Sequence, residues 1–365
     1  MFHVKHERKD RVMNIIEKKE FSSLLITLMS VKMLLTFPVR LVKNSGNAAW
    51  LQIIFVTAIA LLMFKITVAV YKKKINLIEL IKIRTNKYVK IVLGALVFAV
   101  ILMNMISVVR IFPESIKIVL LQETSSDFIL GVFIVTIFLG ARYGIESIVR
   151  VNYIFLPICG ILTIVFIFLL SPYFRVSNLM PILGNGAENI FIKGISGLSF
   201  FSDIIVLNIL LAHSKSYKTA KDSGFRAILI SGAIAAVIML VYGLIYPYPV
   251  SGEFVLPIYQ LTRIIDLGNF FNRFEAVFQF AWSILMFLYG VTYLYILCFV
   301  WQITFNLKYW KPLLFPVTLL IAGFSFIPES IMAANRLTTV LENLVYPFAL
   351  LLPIAVGIID KVKGE

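Results

Sequence analysis

Trp50-Leu-Gln-Ile-Ile-Phe-Val-Thr-Ala-Ile-Ala-Leu-Leu-Met-Phe-Lys-Ile-Thr-Val-Ala-Val70 is 21 residues long and carries one charge, Lys65. A helix of about 20 apolar residues crosses a hydrocarbon core about 30 Å thick. The stretch has no wide polar face and does not alternate as a barrel strand would, so it reads as a membrane-spanning helix. Runs of the same kind lie on either side, near Phe21–Val42, Ile91–Ile111, Phe128–Ala141, Val151–Leu170 and Ile190–Leu211. Others follow near Phe225–Tyr246, Phe274–Val300, Lys311–Ile327 and Leu337–Ile359. The expectation is an all-α integral membrane protein of about ten transmembrane helices, the fourth of them short.

Composition agrees. Hydrophobic residues make up 60% of the 365 and charged ones 15%, against about 45–50% and about 25% in soluble chains. So much apolar surface in water would leave large exposed patches. A soluble enzyme and a free nucleic-acid-binding domain are excluded. The net charge of +15 then needs another explanation, and topology supplies it. With the amino end in the cytoplasm, 23 of the 34 Lys and Arg residues fall in cytoplasmic segments and nine in external ones. That is the positive-inside bias. Residues 1–20 are expected as a cytoplasmic segment, 21–360 as one ten-helix membrane domain, and 361–365 as a cytoplasmic tail.

The opening Met1-Phe-His-Val-Lys-His6 can be encoded by a string that is its own reverse complement. Residues 1–12 are therefore expected to precede the working start, Met13, and His3 and His6 to carry no chemistry. No cleavage site precedes Pro38, so the first helix is expected to be retained. In 71–90, Leu77, Leu80 and Ile81 recur at helical spacing among lysines. Two readings stay open: a helix lying on the anionic leaflet, or a basic segment packed on the base of the bundle. Cys159 and Cys298 sit in apolar runs and read as small packing residues.

Enzyme motifs are missing from the pattern. His213 is the one histidine in the body of the chain, so no HExxH pair and no Ser/His/Asp set can be assembled. Leu183-Gly-Asn-Gly186 follows a span rather than a strand and reads as a turn, not a phosphate loop. No enzyme activity, cofactor or metal centre is expected.

What remains are ionisable groups and helix breakers at membrane depth, where charge is costly. Lys32 lies in the first span, six residues before Pro38, and Asp203 lies in the sixth. Gly194 and Gly197 precede Asp203 in a stretch prone to unwind. A polar first span and a glycine-broken sixth match the layout of five-plus-five inverted-repeat transporters, whose broken helices 1 and 6 meet substrate near the midplane. The plainer alternatives are that Lys32 snorkels or pairs with a carboxylate, and that the two glycines allow close packing.

Several stretches resemble one family. Phe37-Pro38 with Asn47-Ala-Ala-Trp50 resembles the end of that family's first helix and its Asp/Asn-Ala-Trp entry to the second. Gly144-Ile-Glu-Ser-Ile-Val-Arg150 is similar to a Gly-Ile-Glu-x-Ile-Ala-Arg signature. Met180-Pro-Ile-Leu-Gly-Asn-Gly186 resembles a Pro-x-Leu-Gly-x-Gly turn, and Asn272-Arg-Phe-Glu-Ala-Val277 the start of the eighth helix. The family is the spore germination permeases, the B subunits of bacterial spore germinant receptors, within the amino acid–polyamine–organocation superfamily. Departures include Ser30-Val-Lys-Met33 where small Gly-rich sequence is common, Leu121-Gln-Glu-Thr-Ser125 without its prolines, and Asp203 where Glu is frequent.

The resemblance implies a nutrient sensor in the spore inner membrane, both termini cytoplasmic, working with an A-type membrane subunit and a C-type lipoprotein. A small germinant, typically an amino acid, would bind a central cavity between the first, third, sixth and eighth helices. The residues expected there are Lys32, Thr36, Asn104, Ser107, Gly194, Gly197, Ser199, Ser202, Asp203, Tyr289 and Thr292, with Lys32 and Asp203 sensing each other's charge. Lys32 would take the place of a bound cation, meet a ligand carboxylate, or abolish ligand binding. Glu146 and Arg150 are expected to anchor the fifth helix, and Arg273 with Glu275 to form a gate or structural pair. The alternatives are secondary transport of an amino acid or cation, and a structural partner with a dead pocket.

Overall fold

The structure, a computed structural model, describes residues 16–70, 77–84, 86–265, 274–328 and 331–362. The Met1–His6 element, Met13, Arg273 and residues 363–365 lie outside the described residues, as does the side chain of Leu80.

Among the described residues regular structure is helical, with one isolated bridge between Ile16 and Ser214. The long elements are α1 (Lys18–Ser30), α2 (Phe37–Ser45), α3 (Ala49–Val70), α4 (Leu77–Arg84), α5 (Lys87–Val119), α6 (Ser126–Ala141) and α7 (Ile145–Leu170). They continue as α8 (Ala187–Phe191), α9 (Ile204–Leu210), α10 (Tyr217–Ile245), α11 (Pro257–Ile264), α12 (Phe274–Phe305), α13 (Leu314–Ser325) and α14 (Ile331–Val362). Among the described residues, seven stretches are long and apolar enough to cross a membrane, and α6 and α13 are shorter apolar helices. The first expected span is not among the seven because it is interrupted after Ser30. Its second half, α2, ends at Gly46, whose φ of 59° and ψ of −133° turn the chain ahead of α3.

The interruption has a local cause. Pro38 has no N–H to give a carbonyl four residues back, and its ring clashes with that carbonyl. α1 therefore ends in a 3-10 turn, Val31–Leu34, and Leu35 leaves helical space at φ −98° and ψ −135°. Pro38 is then tolerated in the first turn of α2. The sixth expected span is broken as well. Between α8 and α9 lies a 3-10 segment of nine residues, Lys193–Phe201, where runs beyond about 3–4 are uncommon. Gly194 and Gly197 lower helix propensity there.

Packing ranks the helices. The α12 span is 78% buried and the span 187–210 is 72% buried, whereas the span built on α7 is 17% buried. The bundle thus closes around α12 and the broken segment, with α7 at its periphery. α10 packs on α3 and α1, and α5 packs on α12 and α14. The segment 77–84 is a helix whose Leu77, Ile78 and Ile81 are buried, packed against α5 and α14. This is the arrangement of the bundle-base reading, not of a helix with those residues in the leaflet. Cys159 and Cys298 are free and buried, as packing residues should be.

Candidate functional site

Lys32 in the 3-10 turn after α1 reaches across to the end of the nine-residue 3-10 segment. Its Nζ lies 2.7 Å from Asp203 Oδ2 and donates to Ser202 Oγ at 2.7 Å and to the Ser199 carbonyl at 3.1 Å. Two of the ammonium's three N–H groups thus have hydrogen-bond acceptors, and the carboxylate faces it as an ion pair. Lys32 is 3% exposed and Asp203 is fully buried, so the pair is shut away from water. Such burial is costly unless geometry and hydrogen bonds compensate it. Here they do: Tyr293 on α12 donates to the other carboxylate oxygen, Oδ1, and stacks on Tyr289 at 4.3 Å between ring centres.

The structure thus brings together Lys32, Ser199, Ser202 and Asp203, with Tyr289 one step behind Tyr293. A neighbouring set of polar contacts ties α2 and α3 to the same broken segment. Arg40 donates to Ser199 Oγ at 3.2 Å and Asn44 to Ser196 Oγ at 3.2 Å. Gln52, fully buried, donates to the Gly194 carbonyl at 3.0 Å and accepts from Ser45 at 2.8 Å. A Cβ on Gly194 would stand 3.1 Å from Gln52 Cγ, and one on Gly197 would stand 3.2 Å from Gln52 Nε2. These glycines serve the close approach of α3.

The other expected residues have more local engagements. Ser107 and Thr292 donate to carbonyls one turn back in their own helices, those of Met103 and Leu288. Asn104 is buried with its Nδ2 unpartnered. Thr36 precedes α2 as its N-cap residue but makes no side-chain cap bond. Glu146 and Arg150 form an exposed ion pair one turn apart at the start of α7. Glu275 is half-buried in the first turn of α12, and its expected partner Arg273 lies outside the described residues.

Sequence reasoning missed Tyr293, Arg40 and Gln52. Tyr293 had a signal, since it follows Tyr289 by four residues and so shares its face of the helix. Arg40, near the end of the first expected span, lies in α2, which carries it to Ser199. One further contact was not foreseen: two of the family-like stretches touch. Asn47 Nδ2 donates to the Met180 carbonyl at 2.8 Å and its Oδ1 accepts from Tyr248 N at 2.9 Å. Gly184, at φ +51°, presses on Ser45 and Ala48 so closely that a Cβ would lie 2.0 Å from the Ser45 carbonyl oxygen.

Residues 15–334 match the family described as spore germination protein, Spore_permease. A relative, the putative spore germination protein YfkT of Bacillus subtilis (strain 168), is 24% identical over 268 residues, covering 70% of this chain and 71% of that protein. The family match over 15–334 takes in both helix interruptions, the Lys32–Asp203 pair and the Asn47–Met180 contact. The chain belongs to the spore germination permease family and is an all-α membrane protein.

Proposed function

We propose that the chain is the B-type subunit of a nutrient-germinant receptor in the spore inner membrane, with both termini cytoplasmic. It acts by binding, without catalysis, beside an A-type membrane subunit and a C-type lipoprotein. The reading includes the ten-helix, five-plus-five inverted-repeat plan, with α1–α2 as the broken first helix and 187–210 as the broken sixth. One observation carries it: a buried ion pair joins the two helix interruptions. Breaks of this kind expose backbone groups to a solute near the midplane, and Ser199 already offers its carbonyl to a charged group.

As a sensor, the subunit must bind its germinant more tightly in the signalling state than in the resting one, or nothing shifts. The shut Lys32–Asp203 pair suits the resting state, and a ligand that opens it shifts the balance. The test uses spores whose only copy carries Asp203→Asn, matched for receptor abundance, against a panel of amino acids, sugars and salts. Loss of response to a nutrient that triggers the parent strain supports the reading, and an unchanged dose–response refutes it. Saturable uptake of that nutrient by vesicles holding the purified chain alone would favour transport instead.

A further inference from the structure

The end of the bundle where α10 begins carries a surplus of positive charge. In 215–226 four basic residues accompany one acid, Asp222, and Lys18 occupies that carboxylate at 2.7 Å. Lys218, Lys221 and Arg226 are exposed on the first three turns of α10. Lys65 is exposed on α3 at the same height, since its neighbour Phe64 meets Phe225 edge-on at 5.0 Å between ring centres.

Beside these cations the surface is apolar and indented. Phe64 and Val68 of α3, Leu207 of α9, Leu211 just after it, and Tyr217 and Lys221 of α10 line an open crevice. Tyr217 bounds it by donating to the Val68 carbonyl at 2.7 Å, and Lys221 supplies its charged rim. The crevice shares Phe64, Thr67 and Asn208 with a second one that runs on between α3, α9 and α14, so the apolar wall is continuous.

Charge and depth together decide what fits. Lys221 lies one turn before Phe225, where the apolar run of α10 starts, which sets it at the height of the lipid headgroups. Basic groups at that height attract anionic lipids, and basic pockets between spans hold their headgroups. A neutral lipid leaves the surplus charge unused, and a soluble acidic peptide leaves the apolar wall unused. An anionic phospholipid uses both, its phosphate at the lysines and an acyl chain along the leucines.

We infer that the crevice between α3, α9 and α10 binds one anionic phospholipid from the leaflet at this end of the bundle, with Lys221 at the headgroup and the acyl chain along Leu207 and Leu211. That leaflet is the cytoplasmic one in the orientation proposed above. α9 begins directly after Asp203, so the lipid borders the helix that follows the second interruption. The site needs no nutrient and no partner subunit, and it stands or falls apart from the receptor reading.

The test measures lipid binding to the purified, delipidated full-length chain by native mass spectrometry, using phosphatidylglycerol and phosphatidylcholine with identical acyl chains. The first phosphatidylglycerol should bind several-fold more tightly than the first phosphatidylcholine. Lys221→Gln should weaken it by about fivefold, the effect of one basic residue near the surface, and Lys221→Gln with Arg226→Gln by more. Lys221→Arg should bind as the wild type does. Arg142→Gln removes an exposed charge from the start of another helix at the same end and should change nothing. No preference for phosphatidylglycerol, unchanged affinity in both Gln variants, or equal weakening by Arg142→Gln overturns the inference. So does glycerol phosphate that displaces the lipid at equal concentration, because the site would then hold a free anion.

Discussion

Asp203 stands at the N-cap position of α9 but makes no cap bond with that helix, turning its carboxylate to Lys32 at 2.7 Å. An N-cap aspartate ordinarily satisfies one of the free amides at a helix start. Here its charge closes the gap between two interrupted helices, in a setting that is almost wholly buried.

The pair should behave as a unit. Lys32→Met or Asp203→Leu alone leaves a lone buried charge and should cost about 3–5 kcal/mol, while the double variant should be far closer to wild type. Unfolding of the purified single and double variants gives the cycle. Additive losses would mean that the two groups do not interact.

Tyr293→Phe removes one hydroxyl, the donor to Asp203 Oδ1. A hydrogen bond to a charged group contributes about 1.5–3 kcal/mol, and a loss of that size is expected in the wild-type background. In the Lys32→Met/Asp203→Leu background the same change should have almost no effect, which the same unfolding measurement reads.

Two glycines should differ sharply. At Gly184 an alanine meets both a positive φ and the Ser45 carbonyl, so Gly184→Ala should abolish assembly or cost more than about 3 kcal/mol. At Gly160, in α7, a Cβ meets nothing within 4 Å, and alanine is the better helix former by about 1 kcal/mol. Membrane abundance and unfolding of the two variants check the contrast, and equal behaviour would refute the placement of the 180–186 turn.

Glu146 and Arg150 make an exposed pair within one helix, a type that contributes about 0.3–0.5 kcal/mol. Glu146→Gln should leave stability nearly unchanged. If spores carrying it at normal abundance nonetheless respond poorly, the pair serves contact with another subunit; a normal response makes it a simple anchor of α7.

The sequence announced the membrane, because span length and the scarcity of charge follow directly from the cost of placing polar groups in hydrocarbon. It also announced Lys32 and Asp203, since a charge within an apolar run needs a partner or a cavity. It carried the expectation that the two sense each other's charge, and they stand 2.7 Å apart, but it could not show that Tyr293, one aromatic among many in α12, donates to the carboxylate. Gly194 and Gly197 were legible as a weak point of the helix. Their neighbour Gln52 was not, because hydropathy reports how deep a residue lies and not what it faces. The first span illustrates the same limit: Pro38 lies next to the break, yet only the structure shows α1 ending at Ser30 and α2 ending at Gly46.

The contact of Asn47 with Met180, beside Gly184 pressed on Ser45, has a consequence for building hybrids between relatives. Segments 44–48 and 180–186 lie far apart in the chain but form one fitted surface. A chimera that takes one from each parent joins mismatched halves at this point, whatever it does to ligand preference. Crossover points that keep both segments from a single parent, and move the broken helices as a matched set, are the ones that should yield a folded hybrid.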